Sequence, residues 1–309
     1  MSRIVFAGTP ETAVPSLRAL VDAGHEIAAV LTRPDAPVGR KRVLTPSPVA
    51  AVAGELGLEV IKASRIDDAT HERLAGLHAE LGAVVAYGGL LPRRTLDATE
   101  HGWVNLHFSL LPRWRGAAPV QRSLMAGDTT TGASVFLLEE GLDTGPLLAT
   151  STEEVRAEDT AGILLERMAV SGAQLLAGAV SGFLAGDITP VPQSGEATTA
   201  PKLTRADGRI DFTLDAAAVR AHIAGVTPEP GAFTGPEGAP VKLGAVAEVP
   251  EVTELAPGEV RVLPGKHPRV LVGTGSHAVE LGRVQPASKR EMAAGDWARG
   301  LSDEDVRWA

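Results

Sequence analysis

The sequence predicts an α/β protein in which a doubly wound, Rossmann-like parallel sheet is followed by a small β-barrel domain. Three observations support this fold class. Short apolar strands alternate with helices over residues 1–186, as in successive βαβ units. Residues 187–207 are rich in Pro, Ser, Thr and Gly, which is typical of a linker. Residues 208–309 contain short strands at the spacing of a small open barrel.

The first domain begins with a complete βαβ unit. Residues 3–7 form a buried strand, residues 10–23 a helix that ends before Gly24, and residues 26–32 a second apolar strand. The turn at Gly8 lacks the Gly-x-Gly-x-x-Gly fingerprint, which disfavours a nicotinamide or flavin site. The alternation continues through segments at 48–56, 59–62, 69–81, 83–87, 103–107, 120–126, 133–138 and 160–184, where 69–81, 120–126 and 160–184 are helical.

The second domain begins with a helix at 216–226. The β-segments after it lie at 241–246, 259–262, 270–272 and 278–284. From residue 208 to 309 there are eleven Lys and Arg against fourteen Asp and Glu, a formal charge of −3, and the whole chain carries −9. Because phosphate neutralisation supplies most nucleic-acid affinity, any such contact must come from segregated basic clusters.

Composition excludes several classes of site. The chain has no cysteine, so disulfides, thiolate zinc sites and thiol nucleophiles are excluded, and its eight His show no paired ligand spacing. No metal is expected. The amino-terminal residues lack a secretory h-region and cleavage site, and no apolar run of membrane-spanning length is expected. We therefore expect a cytoplasmic enzyme, a monomer without a membrane partner.

The candidate chemistry lies in Asn105, His107 and Asp143. On a strand at 103–107, Asn105 and His107 project from the same face, while Val104 and Leu106 project from the other. Asp143 follows a later strand, and a parallel sheet returns such a loop to the same edge. An amide, an imidazole and a carboxylate together can stabilise an oxyanion and move protons during acyl transfer. Taken singly, each residue is more simply explained as a turn or strand-end hydrogen-bonding group.

The motifs around these residues resemble those of the methionyl-tRNA formyltransferases. The resemblance rests on Ser-Leu-Leu-Pro at 109–112, Arg-Trp-Arg-Gly-Ala-Ala-Pro at 113–119 and Gly-Leu-Asp-Thr-Gly at 141–145. Supporting motifs lie at 6–11, 46–49, 85–88 and 91–92, so nearly the whole chain is covered. The Asn, His, Ser-Leu-Leu-Pro and Asp set is shared by the wider folate-dependent formyltransferases and indicates chemistry, not the acceptor. The 113–119 run, a basic loop and the second domain narrow the resemblance to the tRNA enzymes.

The resemblance implies a reaction and roles. The formyl donor would be 10-formyltetrahydrofolate and the acceptor the α-amine of methionine on initiator tRNA, by direct attack through a tetrahedral intermediate. Asn105 and His107 would donate hydrogen bonds to the oxyanion, and Asp143 would orient His107 and help pass a proton to the departing folate nitrogen. No enzyme nucleophile is needed, and the sequence offers no cysteine and no Gly-x-Ser-x-Gly elbow. The barrel would be OB-like.

Two binding segments are also implied. The folate would contact Tyr87, Gly88, Leu91, Ser109, Leu110, Leu111 and Pro112. The alternative for Leu110 and Leu111 is plain core packing. The initiator tRNA would contact Arg33, Arg40, Lys41 and Arg42. These four lie in a Pro- and Gly-rich loop at 33–44, expected to be flexible without tRNA, and the alternative is a solvated loop. Arg113, Arg115 and Arg122 form a second basic cluster.

Two other functions remain open from the sequence. The first is folate-dependent formylation of a small amine, on a sugar nucleotide or glycinamide ribonucleotide, against which the basic loop argues. The second is a non-catalytic tRNA-binding module that keeps the fold without the chemistry, and against this stand the intact Asn105, His107 and Asp143.

Overall fold

A computed structural model describes residues 2–39, 41–236, 238–300 and 307–308. It divides into two compact units. The first contains residues 1–119, 131–154 and 165–199, and the second contains residues 120–130, 155–164 and 200–309. Two short internal segments thus group with the carboxyl-terminal residues. The domain bounds 1–186, 187–207 and 208–309 stay a prediction.

The elements up to residue 184 are β1 (Arg3–Gly8), α1 (Val14–Asp22), β2 (Glu26–Thr32), β3 (Ala36–Val38), β4 (Val43–Thr45), α2 (Pro48–Glu55), β5 (Val60–Lys62), α3 (Asp68–Ala75), β6 (Leu81–Val85), α4 (Arg93–Leu96), β7 (Trp103–His107), α5 (Pro119–Met125), β8 (Thr130–Leu137), β9 (Leu147–Glu154) and α6 (Ala161–Leu184). The later ones are α7 (Ala216–Gly225), β10 (Phe233–Thr234), β11 (Val241–Leu243), β12 (Val246–Val249), β13 (Val260–Leu263), β14 (Arg269–Val272), β15 (Ala278–Leu281), β16 (Arg283–Pro286), β17 (Met292–Ala293) and α8 (Ala294–Ala298).

Seven strands of the first unit form one sheet in the order β5-β2-β1-β6-β7-β8-β9. From β5 to β7 every neighbouring pair is parallel, which confirms the predicted Rossmann-like fold class. One edge of the sheet is not parallel, since β8 pairs with β7 in the antiparallel direction. The end of β8 therefore lies beside the start of β7, and the expectation that parallel strands return Asp143 to the carboxyl edge is wrong.

Some predicted bounds need correction. The helix expected at 69–81 ends at Ala75, because His78 adopts a left-handed φ of +49° and Leu81 already starts β6. The expected loop at 33–44 contains a hairpin, in which β3 pairs with β4. Strand β9 was not predicted. Strand β7 matches its predicted bounds at both ends.

Helix α6 covers one face of the sheet. Met168, Leu176 and Val180 on it are buried. Gly172 allows the helix to approach β7 closely, because a Cβ there would lie 3.1 Å from Cδ2 of Leu106. This burial leaves the opposite face of β7, which carries Asn105, for the candidate site.

By length and composition α6 is also apolar enough to cross a membrane. Half of its most apolar stretch is buried inside the protein. The sequence-based expectation that no apolar segment reaches membrane-spanning length was therefore wrong for this helix. The core helix of a soluble protein passes the same test of length and composition, and Met168, Leu176 and Val180 of α6 are buried.

The second unit contains α7 and the short strands that the sequence predicts, and these strands pair in the antiparallel direction. They form two four-stranded sheets in the orders β10-β11-β16-β17 and β12-β15-β14-β13. Its core includes Val219 and Ile223 of α7, together with Val270 and Val279. Trp308 closes this core and is stacked between Phe212 and Trp297.

Candidate active site

Strand β7 separates a packed face from a polar one, as its alternation predicts. Val104 and Leu106 are buried, and Leu106 contacts α6. Asn105 is half-buried and lines a cavity of about 360 Å³. Its side-chain amide makes no hydrogen bond with any other described residue, so it can bind a substrate group.

The cavity lies between the ends of the central strands and two loops. Asn105 and Asp143 both line it. The remaining lining residues are Val84, Ala86, Tyr87, Gly88, Gly89, Leu90, Leu91, Arg93, Leu96, Leu138, Glu139, Glu140, Gly141 and Leu142. His107 is not in the cavity wall, and its side chain is only 6% exposed. Its Nδ1 atom lies 3.7 Å from Oδ2 of Asp143. The structure thus brings the three predicted side chains together, with His107 behind Asp143.

The surroundings of His107 determine its protonation state. Its Nε2 lies 2.8 Å from the main-chain oxygen of Trp114, and because a carbonyl only accepts, the neutral ring carries its proton on Nε2. Burial lowers the pKa of His107, while the Asp143 carboxylate and the Trp114 carbonyl act in the opposite direction. The imidazole is therefore neutral near pH 7, with the lone pair of Nδ1 facing Asp143. Donation by His107 to an oxyanion, as the resemblance implies, would need a proton on Nδ1.

Asp143 reaches His107 through a loop that folds back along β7. The amide of Leu138 donates to the carbonyl of Trp103 over 2.7 Å. Trp103 lies four residues before His107, which is a distance of about 13 Å along a strand. The intervening turn requires Gly145, since a Cβ there would overlap the carbonyl oxygen of Leu137. Asp143 adopts a left-handed φ of +51°.

The carboxylate of Asp143 is itself held by the main chain. Its Oδ2 accepts a hydrogen bond of 2.8 Å from the amide of Gly116, and its side chain is 11% exposed. The backbone N–H fixes the direction of the carboxylate without neutralising it. The turn at 114–116 therefore supports both His107, through the Trp114 carbonyl, and Asp143.

The Ser109–Pro112 segment lies outside the cavity wall. The hydroxyl of Ser109 donates to the carbonyl of Arg113 over 2.6 Å, and Leu111 is buried. Ser134 on β8 donates to the carbonyl of Ser109 and accepts from the amide of Leu111. Folate contact by Ser109, Leu110, Leu111 and Pro112 stays a prediction, while Leu111 fits the core-packing alternative.

The three other predicted folate residues do line the cavity. Tyr87 is buried, its hydroxyl donates to the carbonyl of Ala63 over 2.9 Å, and burial raises its pKa. It can therefore offer the cavity mainly its backbone. Gly88 adopts a φ of +78° at the cavity edge, beside Leu91.

Sequence reasoning missed two exposed leucines at the cavity. Leu90 is 91% exposed and Leu142 is 65% exposed, and both line it from the two bordering loops. Large apolar side chains exposed beside a cavity are candidates for ligand contact. Only the solvent exposure singles them out, because a Leu-Leu pair or a Gly-Leu pair in a sequence usually indicates core.

The predicted tRNA residues fall at and around the β3–β4 hairpin. Lys41 and Arg42 are exposed in its turn, and Arg42 has a φ of +50°. Arg40 lies outside the described residues. Arg33 is before the hairpin and donates to the carbonyl of Ser64 over 2.6 Å. Three apolar side chains of the hairpin are also exposed, Val38, Val43 and Leu44.

The second predicted basic cluster is largely engaged within the protein. Arg115 donates twice to Oε1 of Gln193, and Arg122 pairs with Asp207 at 3.0 Å. Arg113 lies over the ring of Trp114, 5.4 Å from its centroid. Arg115 and Arg122 therefore support loops of the fold.

Comparison with known proteins decides the family. Residues 2–180 match the formyl transferase family model, and residues 202–302 match the formyl transferase C-terminal domain. The methionyl-tRNA formyltransferase of Paenarthrobacter aurescens (strain TC1) is 62% identical over 300 residues, which cover 97% of each chain. This chain belongs to the methionyl-tRNA formyltransferase family.

Solved structures of other proteins share the fold of this formyltransferase. An N-formyltransferase from Helicobacter canadensis, in complex with folinic acid and dTDP-3-aminofucose, has a TM-score of 0.70 at 14% identity, over 94% of this chain and 100% of its own. HypX from Aquifex aeolicus, in complex with tetrahydrofolic acid, has a TM-score of 0.64 at 18% identity, over 97% of this chain and 48% of its own. At such identities the likeness establishes the fold of the formyltransferase.

Proposed function

We propose that this formyltransferase moves the formyl group of 10-formyltetrahydrofolate to the α-amine of methionine on initiator methionyl-tRNA, in translation initiation. One observation carries the proposal. Asn105, His107 and Asp143 meet beside one cavity in a chain 62% identical to a methionyl-tRNA formyltransferase. These three functional groups are sufficient for acyl transfer by direct attack of an amine.

In the proposed step the methionine nitrogen bonds to the formyl carbon, and the bond from that carbon to the folate nitrogen then breaks. The oxygen of the tetrahedral intermediate is negatively charged, and the free amide of Asn105 donates to it. The attacking amine loses one proton and the departing folate nitrogen gains one. Asp143 lines the cavity and is the group that carries this proton.

His107 supports that proton transfer from behind. Its Nε2–H is donated to Trp114, so Nδ1 is the nitrogen that faces Asp143. If the proton moves on from Asp143 to Nδ1 during this transfer, the imidazolium forms beside the carboxylate and is stabilised by it, and the proton returns through Asp143 to the departing folate nitrogen. Since burial keeps the ring neutral near pH 7, Nδ1 is ready to accept the proton.

The folate occupies the cavity in this proposal. Tyr87, Gly88 and Leu91 form one wall with their main chain and apolar atoms, and Asp143 and Asn105 border the reacting end. Such a mixture of apolar lining and a few fixed polar groups suits a flat heterocyclic ring with polar edges. The buried Ser109–Pro112 turn supports the site by fixing the chain between His107 and Gly116.

The tRNA acceptor approaches through the β3–β4 hairpin. Arg40, Lys41 and Arg42 supply positive charge to the phosphates, and Arg33 adds to the same cluster. This concentrates basic charge on a chain of net charge −9. An acceptor as small as a sugar amine would not need an exposed basic hairpin.

The enzyme works as a monomer in the cytoplasm, without a membrane, in this proposal. The three reactive side chains come from one chain, so a second copy is not needed to complete the site. Helix α6 buries Met168, Leu176 and Val180 and approaches β7 closely at Gly172. The tRNA substrate is cytoplasmic.

The test is formylation of methionyl initiator tRNA by the purified full chain with 10-formyltetrahydrofolate, beside uncharged tRNA and a sugar-nucleotide amine. The proposal expects formyl-methionyl-tRNA only where the tRNA carries methionine. Transfer to the sugar amine alone would support formyl transfer at this site and contradict methionyl-tRNA as the acceptor. Binding of tRNA with no transfer to any amine would favour the non-catalytic module.

A further inference from the structure

The segment predicted as a linker lies against the active-site loops of the first unit. Val191 exchanges two backbone hydrogen bonds with Leu147, of 2.7 and 2.8 Å. Thr198 accepts the amide of Trp114 on its hydroxyl at 2.9 Å and the amide of Arg115 on its carbonyl, also at 2.9 Å. These contacts are too specific for a spacer, since they fix the turn that supports His107.

Gln193 makes the most direct of these contacts. Its Nε2 donates to the main-chain oxygens of Asp143 and Gly145, both over 2.8 Å. Its Oε1 accepts from Nε of Arg115 at 3.2 Å and from Nη2 at 2.6 Å. The guanidinium fork therefore fixes the orientation of the amide, because only the oxygen can face Arg115 and only the nitrogen can face the two carbonyls.

Asp143 is thus held twice. Gln193 holds its main chain in a left-handed conformation, with φ of +51°, that a non-glycine residue seldom adopts. The amide of Gly116, which follows Arg115, holds its carboxylate. Without Gln193 the backbone of the loop would lose two hydrogen bonds, and the hydrogen bond from the amide of Gly116 to the Asp143 carboxylate would remain.

We propose that Gln193 is a positioning residue for formyl transfer, which places the Asp143 carboxylate between the cavity and His107 through a clamp shared with Arg115. This inference rests on the proposed function for its catalytic part. Gln193 itself does not line the cavity. Its effect on the reaction therefore passes through Asp143.

The kinetic test compares Gln193→Ala with wild type, in the full chain and in the Asp143→Asn background. We expect Gln193→Ala to lower kcat by about tenfold to a hundredfold, with KM for both substrates within about twofold, because misplacement of a reacting group affects turnover. In the Asp143→Asn background the same substitution should change kcat by less than about twofold. An unchanged kcat, or an equal loss in both backgrounds, would overturn the inference.

A matched control is Gln285→Ala. This substitution removes the same side chain from the second unit, where the amide donates to the carbonyl of Lys289 at 3.1 Å on the surface. It should leave kcat and KM unchanged. Gln193→Ala should still unfold in one cooperative transition well above the assay temperature, as this control does, which separates lost positioning from lost folding.

A second measurement does not depend on activity. Because the amide of Gly116 donates to the Asp143 carboxylate, its hydrogen exchange reports whether that carboxylate is in place. We expect faster exchange at Gly116 in Gln193→Ala than in wild type, and equal exchange would contradict the clamp. If wild type formed no formyl-methionyl-tRNA while this exchange responded, the proposed function would fall and the positioning of Asp143 by Gln193 would stand.

Discussion

At the residue scale, the site depends on which nitrogen of His107 carries the proton. The Trp114 carbonyl fixes it on Nε2 and leaves Nδ1 towards Asp143. Trp114 adopts a left-handed φ of +62°, which is uncommon for a bulky residue. That conformation directs the Trp114 carbonyl towards His107. A locally unfavourable backbone conformation therefore stabilises the tautomer of His107 that carries its proton on Nε2.

The pKa of His107 gives a prediction for stability against pH. Its folded-state pKa lies below the ordinary value of about 6.5, so the folded protein binds fewer protons than the unfolded chain as the pH falls. The free energy of unfolding should therefore decrease as the pH drops below about 6.5 and towards the folded pKa. Urea unfolding of wild type and His107→Gln at pH 5 to 8 measures this. The variant should show a smaller decrease over that window.

The control for this experiment is His78→Gln, because His78 lies in a surface turn. Its unfolding curves, measured at the same pH values, show the effect of removing an exposed imidazole. A His107→Gln variant whose stability fell with pH as steeply as wild type would contradict a buried neutral imidazole. Proton NMR of the His107 ring would locate its titration directly, below that of an exposed histidine.

At the scale of elements, the β3–β4 hairpin carries most of the proposed tRNA site, and the structure describes Lys41 and Arg42 of its turn. Replacement of Arg40, Lys41 and Arg42 by Ala should raise KM for methionyl-tRNA and leave folate binding intact, because only phosphate contacts are lost. Each lost contact should lower the slope of log affinity against log salt by about one. Filter binding of tRNA from low to moderate salt checks this. A slope equal to that of wild type would contradict the proposal that the hairpin contacts tRNA.

The packing of Trp308 in the core of the second unit can be tested by substitution. Trp308 is 3% exposed, its ring stacks on Phe212 and Trp297 at 5.9 and 5.5 Å, and its amide donates to the carbonyl of Gly258. Trp308→Ala should lower the free energy of unfolding by about 3 to 5 kcal/mol, through lost burial and a cavity. Denaturant unfolding measures it, with Leu214→Ala on the surface as control. A loss below about 1 kcal/mol would contradict this packing.

The elements also show how far local pattern predicts this fold. Strand β7 was predicted at both ends because apolar residues alternate with Asn105 and His107. The hairpin was missed because three-residue strands are too short for an alternation to show. The helix at 69–81 was extended too far because its apolar residues continue into β6, and the left-handed His78 between them has no sequence signal.

At the scale of the whole molecule, the sequence predicted which side chains meet and not how they meet. Asp143 was expected at the carboxyl edge of a parallel sheet, whereas an antiparallel β8 and a returning loop bring it there. Gln193 was not predicted at all, because its partners lie about fifty residues or more away in the chain. Periodicity carries no information about such distant contacts.

The net charge of the whole chain also limits where tRNA can be attracted. The net charge of −9 leaves the chain poorly suited to non-specific binding of nucleic acid. Two of the three arginines in the second basic cluster are engaged by Gln193 and Asp207. We therefore assign tRNA attraction to the hairpin, where basic and exposed apolar side chains occur together.

The most direct test of the central claim is the single-turnover rate of formyl transfer to methionyl initiator tRNA in Asn105→Ala. We expect a rate about a hundredfold to a thousandfold below wild type, with folate and tRNA affinities nearly unchanged, because the lost amide acts on the oxyanion of the intermediate. A rate within a few-fold of wild type, at normal affinities, would contradict the assignment of formyl transfer to this cavity.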